Sequence, residues 1–482
     1  MFNHETSVAM AERTHVHLSN FLIRADLQED LVFALWTPSR GGKRFTALLH
    51  TLVLPGEGDR QIHGNASFNP NYFERICTLA VEKKCGIAFL HSHPATGWQG
   101  MSHDDIVAEN KMASAVDAIT NLPLVGMTVG SDGIWSARMW KQVEGRKYQG
   151  NWCHSVRTVG QGLKADFNDS LVPKPEYSEL FKRTVTVWGK ENHANLARLR
   201  VGIVGLGSVG SIVAETLARM GAERFSLIDF DEIQGHNLDR LLGATATDLG
   251  KKKVSIAQRQ IKRSSTASRV EILSVSCSLA EEEGYRAALD CDVLFSCVDR
   301  PRARHILNHM AYSHLIPVID GGIEVRFKNG VFSGVDWQLQ TVAPGRPCME
   351  CLGTYNPSDV ALEQSGQLDD PSYMKGLGEN HRLKNNENVF PFSANLASLE
   401  VLQFVALVTG AGGIHNFGVQ RYRYWPGIVE ADEGRTCRPE CDCIELEGQG
   451  DRYFQLFGRD LGAEIARKRQ EQPIECACME NV

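Results

Sequence analysis

Between about residues 20 and 140 the apolar positions fall into short runs separated by turn signals. Leu31 to Trp36, Ala47 to Leu54 (stopped by Pro55-Gly56), Gly86 to Leu90 and Leu122 to Val129 have the length and boundaries of strands, and a helical stretch follows Ser102. The pattern predicts a compact α/β domain over 1–150. From 151 to 178 the period is lost and breakers accumulate (Gln161-Gly162, Asn168-Asp169-Ser170, Pro173-Lys174-Pro175), which predicts a linker. A second pattern starts at Val201: strand, glycines, a helix through Met220, a strand at Phe225 to Ile228, and later strands at Val293 to Cys297 and Pro317 to Ile319. Strand and helix in alternation predict a mainly parallel sheet over 179–445, leaving 446–482 as a C-terminal helix and tail.

Apolar residues make up 43% and charged residues 23% of the 482, enough for a sizeable core. The net charge of -7 supplies no basic field for nucleic acid or anionic membrane, so neither is expected as a partner. The longest apolar run, around Val401 to Val408, is too short to span a bilayer, and Met1 to Asn20 lacks a secretory core, so a cytoplasmic protein is expected. Of 13 cysteines, seven lie in three clusters: Cys348/Cys351, Cys437/Cys441/Cys443 and Cys476/Cys478. In a reducing compartment such clusters point to metal before disulfides.

Two sets of residues carry chemistry. In the first, His91-Ser92-His93-Pro94 follows the apolar run Ile87 to Leu90, and Ser102-His103-Asp104-Asp105 opens the next helix. Imidazoles at i and i+2 of an extended segment share a face and can reach one ion; a carboxylate from the helix would complete three ligands and leave a position for water. The combination resembles the JAMM (MPN+, JAB-type) metalloprotease signature over residues 18–145. The resemblance implies His91, His93 and Asp105 as zinc ligands, Ser102 as oxyanion stabiliser, and an upstream Glu as general base, which Glu29 fits, with Glu57 as the alternative. The spacing departs from the family pattern, with eight residues from Pro94 to Met101 where seven are usual, so Asp104 competes with Asp105.

In the second set, Gly205-Leu206-Gly207-Ser208-Val209-Gly210 joins a strand to a helix, an arrangement that brings backbone amides to phosphate, and Asp229 ends the following strand. Taken alone this suits a nicotinamide dehydrogenase. Asp231, Asn237, Arg240, Lys253 and Asp299 argue otherwise, since hydride transfer needs no phosphate-facing cations or metal-binding carboxylate, whereas adenylation does. The series resembles the ThiF/MoeB and ubiquitin-activating-enzyme family over 177–445. That implies a Rossmann-like domain using ATP, with Asp229 on ribose, Asp231, Asn237, Arg240 and Lys253 about the phosphates, Asp299 on Mg²⁺, and Arg183 donated across a homodimer. It further implies a structural Cys₄ zinc site. Cys348 and Cys351 match its first half, while Cys437-x₃-Cys441-x-Cys443 departs from the usual Cys-x-x-Cys. Cys441 and Cys443 are the expected second pair, since the family's third ligand falls at Pro-Glu-Cys.

A thioester cysteine remains unassigned among Cys437, Cys476 and Cys478; direct transfer of the adenylate is the alternative. An activator of C-terminal carboxylates fused to an isopeptidase-like hydrolase points to a ubiquitin-like protein as shared substrate, as in bacterial fused JAB–ThiF proteins, with a separate conjugating enzyme expected. Sulfur-carrier activation with tail trimming is the second reading, and defence and housekeeping settings are both open. A binding scaffold with dead sites is a third reading, against which the retained His91, His93, Arg240, Lys253 and Asp299 argue.

Overall fold

The computed structural model describes residues 4–471 except 64, 146, 329, 370–387 and 454–455. The first half is built on nine strands: β1 (Glu5–Ala11), β2 (Leu31–Arg40), β3 (Arg44–Val53), and, after a small hairpin of β4 (Arg60–His63) and β5 (Asn65–Phe68), β6 (Gly86–Ser92), β7 (Leu124–Val129), β8 (Trp135–Glu144), β9 (Lys147–Trp152), β10 (Ser155–Val159) and β11 (Leu163–Phe167). Their order is β11-β10-β1-β3-β2-β6-β7-β8-β9, with parallel pairs β1/β10, β1/β3 and β6/β7 and the rest antiparallel. The segment 151–178, expected as a linker, therefore carries two strands of this sheet. Its turns at Gly160 and Gly162 join β10 to β11 in a hairpin, so the breakers mark a bend inside the domain rather than its end.

Because strand side chains alternate between faces, each face of the sheet needs a cover. Helix α1 (Glu12–Leu22) covers one, packing Leu18 and Leu22 on Val8, Met10, Val32 and Trp36. On the other, α2 (Pro70–Lys83) and α3 (His103–Thr120) bring Tyr72, Ile76, Met112 and Val116 onto Leu31, Phe33 and Phe89. The remainder of that face, with Ala9, Leu48, Val159, Leu163 and Phe167, is covered by the second half of the chain: these residues share one buried cluster with Leu196, Leu199, Leu217 and Phe404. The two halves thus have a common core.

The second half opens with α4 (Lys182–Trp188) and α5 (Lys190–Arg198) and holds an eight-stranded sheet. Strands β12 (Arg200–Val204), β13 (Arg224–Ile228), β14 (Glu271–Val275), β15 (Val293–Ser296) and β16 (Val318–Lys328) run parallel in the order β14-β13-β12-β15-β16. The antiparallel β17 (Val331–Val342), β18 (Val419–Arg423) and β19 (Ile428–Asp432) extend it. The apolar run around Val401 to Val408 belongs to a longer element than expected, the 20-residue helix Phe390–Thr409, which by length and composition alone is apolar enough to cross a membrane. Here Leu396, Ala397, Val401, Phe404 and Leu407 are buried, together with Glu400 and Gln403.

The starts of the parallel strands meet the first sheet through buried charge. Asp292, one residue before β15, takes Arg44 and Arg157 of β3 and β10; each of these side chains is at most 3% exposed. Asp290 accepts backbone N–H bonds from Lys43 and Arg44, and Glu5 at the start of β1 pairs with Arg200 and Arg224 at the starts of β12 and β13. Ser39 bonds His314, and Arg346 donates to the carbonyl of Gly160.

Candidate functional site

His91 is on the penultimate residue of β6 and His93 lies just past its end, so both imidazoles project toward the N-terminus of α3. Ser102 caps that helix: its Oγ accepts from Asp105 N at 3.1 Å while Asp105 Oδ2 accepts from Ser102 N at 2.7 Å. This reciprocal box holds Asp105 against the histidines. His91 Nε2 is 3.2 Å from His93 Nε2 and 3.1 Å from Asp105 Oδ1, and His93 Nε2 is 3.4 Å from Asp105 Oδ2. Two ring nitrogens and a carboxylate on one point suit a divalent transition metal with an open position.

Asp104 is exposed on the other side of the turn. Glu29 places Oε1 3.8 Å from His93 Nε2, while Glu57 is exposed on a separate turn. The backbone beside Glu29 is fixed by Asp30, which is fully buried, pairs with Arg60 at 2.8 Å and donates its own backbone N–H to Ser92 Oγ. Burial raises the Glu29 carboxyl above the ordinary range, with His93 opposing. The structure thus gathers Glu29, His91, His93 and Asp105, and gives Ser102, which the resemblance implies as an oxyanion stabiliser, a capping bond.

The glycine loop lies at the opposite end of the second half from the buried charges. Gly205 has φ +87°, and a Cβ on it would meet the Cys297 carbonyl at 2.4 Å; one on Gly210 would meet the Gly205 carbonyl at 2.0 Å. Only glycine permits this closeness of loop, helix and neighbouring strand. Beyond Gly207, the N-cap of α6 (Ser208–Arg219), there is open space, so the unsatisfied amides of the first turn face a cavity of about 1250 Å³.

Asp229, Asp231, Asn237, Arg240, Lys253 and Asp299 all line this cavity. Lys253 Nζ is 2.7 Å from Asp231 Oδ2; burial opposes its charge, but Asp229 and Asp231 hold its pKa up. Burial raises the Asp229 carboxyl, whose oxygens accept from Leu206 N at 2.6 Å and Asp231 N at 2.8 Å, stapling the glycine loop to β13. Asn237 Oδ1 accepts from Gln234 N, and Arg240 bonds Asp239 and the His236 carbonyl, so both order the rim loop. Arg183 is exposed on α4 and does not line the cavity of its own chain.

Sequence reasoning missed part of the wall. Arg300 pairs with Asp369 at 2.8 Å, Arg302 N donates to Glu363, and Asp460, Ile465 and Ala466, at or in the helix Leu461–Glu471, also line the cavity. Burial pushes Glu363 up to about 7. These residues follow no spacing; only the fold brings them to the glycine loop.

The cysteine cluster comprises Cys348, Cys351, Cys437 and Cys441, with all four sulfurs within 4.8 Å of one another. This corrects the expected second pair: Cys437 takes the place of Cys443. Cys443 lies inside the short helix Asp442–Leu446 and is buried in the core beside Asn308, whereas Cys437 accepts the Cys348 N–H at 3.2 Å. Cys348 and Cys441 sulfurs are 3.6 Å apart, near the roughly 3.8 Å edge of a zinc tetrahedron with Zn–S of about 2.3 Å. Backbone N–H groups of Cys351 and Arg438 point at Cys348 and Cys351 sulfur, as thiolate ligands require. Cys437, one of the candidates for acyl transfer, sits in this cluster, and Cys476 and Cys478 lie outside the described residues.

The profile of the ThiF family matches residues 181–442. The chain belongs to the ThiF family. Among similar proteins, molybdopterin-synthase adenylyltransferase of Escherichia coli is 29% identical over 153 residues, 32% of this chain and 58% of that one. Ubiquitin-like modifier-activating enzyme 5 of Drosophila willistoni is 24% identical over 172 residues (33% and 40%), and the sulfur carrier protein ThiS adenylyltransferase of Bacillus subtilis is 28% identical over 167 (34% and 46%). The chain spans between about a third and three fifths of the curated relatives it matches. Among solved structures, E. coli MccB with ATP aligns at TM-score 0.42 and 17% identity, over 55% of this chain and 74% of that one.

Proposed function

We propose that this ThiF-family chain adenylates the C-terminal carboxylate of a ubiquitin-like protein and that its first half is a zinc hydrolase acting on the same protein. The observation that carries the first activity is the convergence of the glycine loop, Lys253 and three carboxylates on one cavity. In the proposed reaction a carrier carboxylate attacks the α-phosphorus of ATP, the bond to the β-phosphate breaks, and pyrophosphate leaves. The α6 amides and Lys253 stabilise the charge that grows on the phosphates, Asp231 keeps Lys253 in place, and Asp299 would hold Mg²⁺. Homodimerisation with Arg183 acting across the interface, and a separate conjugating enzyme, belong to this reading.

In the first half His91, His93 and Asp105 would hold zinc, which supplies a water of lowered pKa and polarises the scissile carbonyl. Glu29, lifted in pKa by burial, is placed to take a proton from water and return it to the leaving amine. Sulfur-carrier activation uses the same residues, and the B. subtilis relative supports it as the second reading. The products separate them: an isopeptide adduct or a thiocarboxylate.

The test is ATP–pyrophosphate exchange with a Gly-ended ubiquitin-like protein. Exchange that needs both the carrier and Asp299 is expected. No exchange from metal-replete wild type with a carrier shown to bind would overturn adenylation and leave a binding scaffold.

A further inference from the structure

Among the described residues the two candidate sites share no side chain. Strands β12, β13 and β15 begin at the interface between the halves, where Arg200, Arg224 and Asp292 are held, and end at the cavity, where Gly205, Asp229 and Cys297 lie. Among the described residues, none before Val204 lines the cavity.

The histidine cluster sits at the far end of the other half. His91 pairs with Leu31 at the start of β2, whereas the end of β2 reaches the interface: Ser39 bonds His314 and Arg40 pairs with Asp451. Nine residue steps along β2, at about 3.3 Å each, put the cluster roughly 30 Å from that contact, before any distance to the cavity is counted. A tail seated at the histidines would need roughly nine extended residues to reach that contact, which is not itself part of the cavity wall. A hinge between the halves could shorten this only by opening the buried Arg44–Asp292–Arg157 group and the shared apolar cluster.

We infer that the carrier leaves the protein between the two reactions. This rests on the reading of both sites given above. Hydrolysis adds water across the amide, giving the carrier a free carboxylate and the leaving group an amine. That carboxylate is released to solution and is captured, by any chain, as the nucleophile toward ATP. One chain can then hold two carriers at once, one at each site.

The experiment uses the full wild-type chain with Zn²⁺, Mg²⁺ and ATP. An isotope-labelled ubiquitin-like protein bearing a short peptide beyond its C-terminal Gly is supplied with a tenfold excess of unlabelled mature carrier. Adenylate is trapped with hydroxylamine, and the labelled fraction of the hydroxamate is read by mass spectrometry. Release through solution predicts dilution of the label by about tenfold, in step with the excess. Hydroxamate that stays mostly labelled would overturn the inference while leaving both activities standing. An equimolar mixture of Asp105→Ala and Asp299→Ala chains, matched in site concentration, should run as fast as wild type; a loss of more than about twofold counts against release. Two controls separate failure of the underlying reading. If mature carrier alone yields no hydroxamate, adenylation is wrong; if no peptide is released, the hydrolase is wrong; either result withdraws the inference.

Discussion

The histidine cluster and the nucleotide cavity differ in how much chain builds them. Four residues from one strand end, one helix cap and one preceding turn make the first, within contacts of 3.1–3.8 Å. The second draws its wall from residues 204 to 466 and keeps a volume of about 1250 Å³. A compact site is set by local geometry, so its parts fail one at a time. A site assembled from strand ends depends on the sheet beneath it, and in this chain that sheet rests on the other half.

The largest effects should come from groups that act on the reacting atoms. Asp299→Ala is expected to lower exchange by about a thousandfold or more, roughly 4 kcal/mol of transition-state stabilisation, with cleavage unchanged. Glu29→Ala should cost cleavage about 10²–10⁴-fold. Zinc should stay bound, because Glu29 is not in the ligand set, and exchange should be untouched. Exchange rates, peptide release and metal content on the same preparations check all of this; full cleavage by Glu29→Ala would move the base to Glu57.

The next effect crosses the comparison. Arg44→Ala leaves Asp292 buried with a weaker set of partners, which should destabilise the fold by about 3–5 kcal/mol, read from the urea midpoint. Both activities should then fall together at elevated temperature. Loss of one activity with the other preserved would mean that the halves unfold independently.

A smaller effect sharpens the second region alone. Cys437→Ser should reduce bound zinc at the cysteine cluster and lower the melting temperature of the adenylation half, while Cys443→Ser should retain the metal, since Cys443, whose sulfur also accepts from Asn308, lies outside the four sulfurs that stand within 4.8 Å of one another. Equal loss of zinc from both variants would restore Cys443 to the ligand set.

Legibility followed the same division. His91, His93 and Asp105 could be read because a strand end and a capping box fix side-chain direction over a few residues, and the box also favours Asp105 over Asp104. The ordered series from Gly205 to Asp299 was readable because Gly205, Asp229 and Asp299 follow strand ends and Lys253 opens a helix, with Asn237 and Arg240 on the loop between them. Asp369, Glu363 and Asp460 were not, for they reach the cavity by tertiary packing from segments far along the chain from the glycine loop. Cys437 was misjudged because chain spacing cannot tell which sulfur of a close pair turns into the core. The strands of 151–178 were hidden by the turns that join them, and β1 by the shortness of its apolar stretch, Val8 to Ala11, beside Glu5, Thr6 and Ser7.

The smallest prediction concerns the seam between the two regions. His314 is buried there, its Nδ1 2.8 Å from Ser39 Oγ, and burial together with Arg286 pushes its pKa down to about 3. A histidine kept neutral in the fold stabilises fully above its unfolded pKa of about 6.5, and that contribution is lost as pH falls toward the folded value. Each unit below 6.5 then costs up to about 1.4 kcal/mol from this group. His50, lowered to about 4, acts in the same direction. His314→Gln keeps an amide for Ser39 and removes the titration. The variant should be slightly less stable than wild type at pH 7.5 and should lose less stability between pH 6.5 and 5, the difference narrowing by about 1–2 kcal/mol. Urea midpoints across that range decide the matter: parallel slopes for the two proteins would show that His314 is not the group through which acid loosens the seam.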